Sequence, residues 1–286
     1  MEYQLEDLFR PYHYPQADRH RSGQLSGYGL TQEGAQLYLE HLANQEPETF
    51  GGIVPIINQD PNMGEEFTPE ALASITDAVA SAEGRGEFLI YRQGHTVSLI
   101  RENGVMFLMD SYNAFGTDEL GNVPLLEHLR NSFPNERIFT MHDMMQRDYH
   151  NCVFFATSSL GSVIRELNGR GVDLGQFLNE IDTCILHTPE YTSPDDVRRL
   201  DKYTDLFVET VATPACMIPY VQSVAAAQTI ADGSHAFCEE VEWCEHGSYQ
   251  DEMKIATEMR PHKGIMKEMN VCIQRQNEDF RRAVGL

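Results

Sequence analysis

The sequence predicts an α+β fold, in which a central mixed or antiparallel sheet is flanked by helices and followed by a helical C-terminal extension. Strand-like runs cluster between residues 87 and 141, and helical patterns lie on both sides of them. An Asn-Gly pair at 103–104 separates two of these runs, and such a pair is the strongest short signal for a hairpin. With 286 residues, of which 41% are hydrophobic, the chain can bury a substantial core.

Two helices are predicted ahead of the strands. Residues 31–44 carry Leu37, Leu39 and Leu42 in a helix-compatible pattern. The second helix begins at Thr68-Pro69, because Thr is a good N-cap and Pro is tolerated in the first turn. Residues 51–63, between the two helices, are predicted to form a connector because they contain Gly, Pro and Asn around a short apolar run.

Four strands and one helix are predicted for the middle of the chain. The helix covers Pro124–Asn131. The strands are Glu87–Arg92, Thr96–Arg101, Val105–Asp110 and Arg137–Met141. From Cys152 onward the pattern is mostly helical, with predicted helices at Cys152–Leu167, Leu174–Leu186, Ser193–Thr210 and Ile265–Ala283.

The overall charge is strongly acidic. There are 44 acidic and 21 basic residues, so the formal net charge is −23, which argues against nucleic acid or an anionic membrane as the main partner. No run of about 18 apolar residues is present, so no membrane span is predicted. The first residues lack the basic and apolar segments of a secretory signal, and six cysteines are too sparse for a disulfide scaffold. We expect a soluble intracellular protein.

The charge is unevenly distributed along the chain. Residues 22–84 contain ten acidic residues and no Lys or Arg. Residues 254–286 contain seven basic and four acidic residues. The seven basic residues, here called the basic tail, are Lys254, Arg260, Lys263, Lys267, Arg275, Arg281 and Arg282. A solvated helical face and an anion-binding surface both fit this pattern.

The hairpin places a histidine next to a carboxylate. With Asn103 and Gly104 as the two turn residues, paired positions sum to 207. Val97 then lies opposite Asp110, and His95 is a diagonal neighbour of Asp110 on the same face, with Cβ atoms ~7–8 Å apart. A carboxylate that holds an imidazole fixes its tautomer and stabilises the imidazolium, as the base of a nucleophilic triad requires. The alternative is a surface His and a hairpin-end Asp that never touch.

The candidate nucleophile is Cys152. It follows Asn151, a good cap residue, and precedes an apolar run suited to a buried helix. A thiol at a helix N-terminus meets the positive end of the helix dipole, which favours the thiolate. Gln146 lies six residues earlier, and its amide, together with the backbone N–H of Cys152, would bind the oxyanion of a tetrahedral intermediate. The alternative for Cys152 is a small hydrophobic residue at a helix start.

These residues, in this order along the chain, resemble the papain-reversed (CE-type) thiol enzymes, which include ubiquitin-like-protein proteases, adenoviral protease and YopJ-type effectors. Within that group, His95-Thr96 and Gln146-Arg147 are similar to the YopJ-type effector acetyltransferases. Val153 departs from the family, which usually has Gly after the nucleophile. Asp110-Ser111 is more similar to the ubiquitin-like-protein proteases, since the acid of YopJ-type members is usually Glu. The resemblance covers roughly residues 87–167.

The resemblance implies a thiol acyltransferase with a CE-type cysteine protease-like catalytic core at 60–190 and helical flanking or regulatory regions at 1–59 and 191–286. Cys152, deprotonated by His95, would take the acetyl group of acetyl-CoA and transfer it to a Ser, Thr or Lys side chain of a host protein. Such enzymes are activated by inositol hexakisphosphate, which binds basic residues of a helical region, and the basic tail is the candidate for this role. The resemblance also implies a monomeric bacterial effector that reaches the host cytoplasm without a Sec signal.

Two other functions stay open. A cysteine protease or isopeptidase of the ubiquitin-like-protein protease type would use the same His-Asp-Cys set, with water as the acceptor. A catalytically silent binding protein of this fold is compatible with Val153 and with the acidic surface.

We predict no metal site, because the spacing of one Cys/His cluster fits no common zinc finger. Its members are His235, Cys238, Cys244 and His246.

Overall fold

The fold is seen in a computed structural model, which describes the chain in several ranges. These are residues 9–12, 27–57, 68–92, 95–111, 123–141, 145, 152–181, 183–184, 209–211 and 213–220. The helices are α1 (Gln32–Gln45), α2 (Pro47–Phe50), α3 (Pro69–Ser81), α4 (Val123–Ser132), α5 (Cys152–Arg170) and α6 (Leu174–Asn179), with a 3-10 helix at Ala215–Tyr220. The strands are β1 (Phe9–Tyr12), β2 (Gly27–Leu30), β3 (Val54–Ile57), β4 (Gly86–Arg92), β5 (His95–Glu102), β6 (Val105–Met109), β7 (Arg137–Met141), β8 (Thr183–Cys184) and β9 (Glu209–Val211).

Seven of the described strands form one mixed sheet in the order β3-β4-β5-β6-β7-β9-β8. Strands β4, β5 and β6 are antiparallel neighbours, and β8 is antiparallel to β9. The pairs β3-β4, β6-β7 and β7-β9 are parallel. Strands β1 and β2 pair separately as a two-stranded antiparallel sheet. The predicted α+β class, a mixed sheet flanked by helices, is confirmed.

The central hairpin has the register that the Asn-Gly turn predicted. Ser98 pairs with Met109, and Glu102 pairs with Val105. Asn103 and Gly104 both have positive φ angles, of 50° and 78°. Asn and Gly tolerate this left-handed backbone, and two such residues in succession make the turn whose twist matches the flanking strands.

Apolar layers cover both faces of the sheet. The continuous apolar run of β6 follows from burial on both sides, because side chains alternate between the faces of a strand. Phe107 and Met109 point to one face, where α5 packs with Phe155 and Leu160. On the other face the apolar residues of β6 contact those of α3 and α4, as in the Leu108 cluster. Helices α1 and α3 each begin after a threonine whose side chain accepts a backbone N–H group, and of these two caps the sequence predicted that of Thr68.

The structure corrects two of the predicted helices. The helix predicted at Leu174–Leu186 ends at Asn179, and Thr183–Cys184 forms β8 instead. The end of the helix predicted at Ser193–Thr210 falls in β9, which pairs with both β7 and β8. In both cases pairing between distant strands overrides a helical sequence pattern. Residues 193–208 and the helix predicted at Ile265–Ala283 lie outside the described residues.

The sheet uses chain from both sides of the predicted 60–190 core. Strand β3 falls in the segment that was predicted as a connector, and β9 lies beyond residue 190. In the described part of the flanking region 1–59 there are therefore three strands besides the helices. Among the described residues, no helix has the length and apolar character needed to cross a membrane.

Candidate active site

His95 and Asp110 meet at one end of the central hairpin. His95 is the first residue of β5, and Asp110 directly follows β6. The Nε2–H group of His95 donates a hydrogen bond to Oδ1 of Asp110, at 2.8 Å. The exposed fraction of the side chain is 1% for His95 and 0% for Asp110. The contact that the hairpin register predicted is thus observed, in a buried setting.

Cys152 is the first residue of α5, and 5% of its surface is exposed. Its thiol therefore lies at the positive end of a 19-residue helix that packs on the sheet. The hydrogen bond to Asp110 uses one ring nitrogen of His95, and the ring also interacts with Cys152. The structure brings together the three side chains that the sequence pattern had selected.

The charge state of His95 results from opposing effects. Burial lowers the pKa of the imidazole, because it disfavours the cation. The Asp110 carboxylate raises this pKa by its charge and by its hydrogen bond, and Cys152 raises it further in the same two ways. The net result is that the pKa of His95 rises from its ordinary value of 6.5 to about 9. At neutral pH His95 is therefore an imidazolium, a cation next to the side chain of Cys152.

A backbone hydrogen bond joins the two loops beside this pair. The N–H group of Met145 donates to the carbonyl oxygen of Ser111 at 2.8 Å. Met145 is buried in the core cluster beneath α5, and Ser111 is also buried. The chain after β7 is thereby held against the residue that follows Asp110. Gln146 comes next in the sequence but lies outside the described residues, so its oxyanion role stays a prediction.

The arginines whose side chains the structure describes are engaged in pairs. Arg101 binds Glu136 through two of its nitrogens, and Arg137 binds Glu209 in the same manner. The remaining arginines of this group bond to carboxylates or carbonyls of the protein, and they are Arg85, Arg130, Arg165 and Arg170. The basic tail and the Cys/His cluster around residue 240 lie outside the described residues. Within the described ranges, no group of His, Cys, Asp and Glu is arranged to hold a metal ion.

The sequence pattern did not identify the residues against which the first turn of α5 packs. Val153 and Phe154 pack into a separate apolar cluster with Leu30, Ala35 and Tyr38. The cluster joins α5 to β2 and α1, which lie far away in the sequence. The sequence signal for this cluster is the apolar spacing of α1. That spacing shows that the helix buries one face, but it does not show which residues cover this face.

The chain thus combines a mixed sheet flanked by helices with a cysteine, a histidine and an aspartate whose side chains lie together. No protein-family model matches the sequence, and no curated protein matches it significantly. Among solved structures, the chain is similar in fold to HopZ1a. For HopZ1a in complex with inositol hexakisphosphate and CoA, the identity is 10% and the TM-score 0.44, over 70% of this chain and 63% of the other.

A second HopZ1a structure, in complex with inositol hexakisphosphate, gives 10% identity and a TM-score of 0.45 over 69% of this chain and 64% of the other. This chain therefore spans less than two thirds of the HopZ1a chains that it matches. The central domain of the uncharacterised Lpg1148 protein from Legionella pneumophila gives 13% identity and a TM-score of 0.27, over 54% of this chain and 88% of that domain.

Proposed function

We propose that this protein is a cysteine-dependent acyltransferase that moves an acetyl group from acetyl-CoA, by way of Cys152, to a Ser, Thr or Lys side chain of a host protein. The observation that carries this proposal is the buried His95–Asp110 pair beside a cysteine that begins a long helix. Acyl transfer through a thiol needs a nucleophile, a base and a group that orients the base, and these three residues supply them.

The first half of the reaction exchanges one thioester for another. The Cys152 thiolate attacks the acetyl carbonyl, and the resulting oxyanion is stabilised by backbone N–H groups at the start of α5, with Gln146 as the predicted second donor. The intermediate collapses with cleavage of the bond to the CoA sulfur, which takes the proton from the His95 imidazolium. The products are acetyl-Cys152 and CoA.

The second half regenerates the enzyme. Neutral His95 removes the proton of the acceptor hydroxyl or amine, and the acceptor attacks the acetyl-cysteine carbonyl. Cleavage of the bond to Sγ releases the acetylated protein and restores the thiolate–imidazolium pair. The Asp110 side chain holds and stabilises the cationic ring. The burial of all three side chains favours transfer over hydrolysis, because an acyl-cysteine that water reaches slowly survives until an acceptor arrives.

The second candidate is a cysteine protease or isopeptidase. It would use the same residues, with an amide as acyl donor and water as acceptor. The aspartate at position 110 favours this function, since the Asp110-Ser111 pair resembles that of ubiquitin-like-protein proteases. The two candidates therefore differ in the acyl donor and acceptor and not in the nucleophile.

A labelling experiment separates the candidates. The full chain is incubated with radiolabelled acetyl-CoA, with and without inositol hexakisphosphate, and label on the protein is measured. We expect label in the wild type and its loss in Cys152→Ala and His95→Ala. Cys216→Ala is the matched control and should keep the label, because burial raises the pKa of the Cys216 thiol to about 11 and leaves it protonated. If the wild type acquires no label but hydrolyses a fluorogenic ubiquitin-like substrate, the protein is a protease.

The basic tail provides a second arm of this experiment. Five of the six arginines named above pair with carboxylates, and Arg130 bonds to a backbone carbonyl, so we expect the phosphates of CoA or inositol hexakisphosphate to use another source of positive charge. Replacing Lys263, Lys267 and Arg275 by Gln should weaken the binding of these anions in a salt-dependent way and leave the alkylation of Cys152 unchanged. Full acetyl transfer by the triple variant would place the anion site elsewhere. A host protein as acceptor and the host cytoplasm as location are part of the same proposal.

A further inference from the structure

The first turn of α5 is held on two sides. Phe155 and Ala156 belong to the main core beneath the helix. The two residues directly after the nucleophile, Val153 and Phe154, belong instead to the cluster that β2 and α1 form. Since successive helical residues are about 100° apart around the axis, these two pairs point in different directions. The rotation of α5 about its axis, and with it the direction of the Cys152 side chain, is fixed by both clusters.

Tyr38 makes the closest described aromatic contact in the second cluster. Its ring meets that of Phe154 at a centroid distance of 4.8 Å and an interplanar angle of 69°, an edge-to-face arrangement. Both rings are buried. Tyr38 lies on α1, whose start is fixed by the Thr31 side chain, which accepts the N–H of Gly34 at 3.1 Å. Tyr38 therefore contacts Phe154 from within a helix with a capped N-terminus, and not from a loop.

The same N-terminal segment is also tied to the strand beside His95. The hydroxyl of Tyr91 donates a hydrogen bond to the carbonyl oxygen of Leu30 at 3.3 Å. Tyr91 pairs with Thr96, the neighbour of His95, across β4 and β5. The β2–α1 segment therefore contacts both the helix that carries the nucleophile and the strand next to the one that carries the base.

We propose that Tyr38 is a positioning residue for Cys152: by packing on Phe154 it holds α5 in the rotation that directs the thiol at His95. The proposal rests on the proposed function, in that it assumes Cys152 to be the nucleophile. A side-chain atom about 5 Å from the helix axis moves roughly 1 Å for a rotation of about 12°. A misplacement of about 1 Å can reduce a reaction rate on the order of 100-fold. Val153 is buried in the same apolar cluster as Leu30 and Tyr38.

The test measures the reactivity of Cys152 across pH. The full-length wild type, Tyr38→Ala, Tyr38→Leu and Tyr38→Phe are treated with iodoacetamide between pH 5 and 10, and modification of the Cys152 peptide is followed by mass spectrometry. We expect Tyr38→Ala to react at least about tenfold more slowly at pH 7, with a pH profile shifted toward higher pH. Tyr38→Leu should show the same shift, and it replaces Tyr38→Ala in the test if that variant does not fold. Tyr38→Phe keeps the ring, so its rate should stay within about twofold of the wild type.

Ile75→Ala is the matched control. Ile75 is buried on α3, in the cluster on the opposite face of the sheet, so its truncation destabilises the fold without contact to α5. It should leave the profile of Cys152 unchanged at an equal loss of stability. The proposal is overturned if Tyr38→Ala or Tyr38→Leu retains the wild-type profile, or if Ile75→Ala shifts it equally. If the Tyr38 variants shift the pH profile of Cys152 but the wild type transfers no acetyl group, the acyltransferase function fails while the positioning role stands.

Discussion

The charge on Asp110 can be removed without removing its oxygen. Asp110→Asn keeps an acceptor for the Nε2–H of His95, whereas the negative charge that raises the pKa of the ring is lost. Burial then dominates, and we expect the pKa of His95 to fall well below about 9. At neutral pH the ring next to Cys152 is then uncharged. We therefore expect the alkylation of Cys152 at pH 6–7 to slow by about tenfold or more.

The same change should alter how stability depends on pH. His95 has a higher pKa in the folded chain, about 9, than its ordinary value of 6.5. Its contribution is therefore fully present below pH 6.5 and is lost as the pH rises through about 9. The difference corresponds to on the order of 3 kcal/mol. The free energy of unfolding of the wild type should fall by this order between pH 6 and 9, and the fall should be much smaller in Asp110→Asn.

Urea unfolding followed by circular dichroism at pH 6 and pH 9 measures this difference. Asp173→Asn is the control, since Asp173 caps α6 by accepting the N–H of Gln176 and Asn caps a helix equally well. It should keep the wild-type stability and the wild-type alkylation rate at both pH values. A wild-type pH dependence that survives unchanged in Asp110→Asn would refute the idea that this carboxylate keeps His95 charged.

Two further predictions concern the packing around α5. Gly161→Ala should lower the free energy of unfolding by about 1–3 kcal/mol, because the added Cβ would lie 2.6 Å from Cζ of the buried Phe50 ring. This loss is expected although Ala favours helices more than Gly does. Urea unfolding measures the change, and a gain in stability would contradict the prediction. Ser98→Ala should be neutral or raise the free energy of unfolding by about 1 kcal/mol, because this buried hydroxyl has no hydrogen-bond partner among the residues that the structure describes. Thr140→Val is its control and should destabilise, since the Thr140 hydroxyl donates to the carbonyl of Leu108 at 3.0 Å; the opposite order of the two variants would contradict this explanation.

The parts of the site that the sequence predicted are those governed by local rules. Asn103-Gly104 fixes a two-residue turn, the turn fixes the register, and the register brings His95 to Asp110. The apolar run after Cys152 predicts a buried helix in the same way. Each of these steps depends on residues close together in the sequence.

The parts that the sequence did not predict depend on distant contacts. Strands β8 and β9 are two and three residues long, and their strand conformation follows from pairing with each other and with β7. The contact of Tyr38 with Phe154 joins α1 to α5, and no local pattern specifies which buried face meets which. The pairing of Arg101 with Glu136 and of Arg137 with Glu209 is likewise visible only once the chain is folded.

The route by which each half of the site is assembled differs in its entropic cost. The histidine–carboxylate half closes a short loop within one hairpin, whereas the thiol half requires α5 to dock on a segment more than a hundred residues away in the sequence, which is an event of high contact order. A chain that has formed only the hairpin thus has a base without an oriented nucleophile. Under the proposed function, activation of Cys152 is therefore coupled to the docking of α5 on β2 and α1.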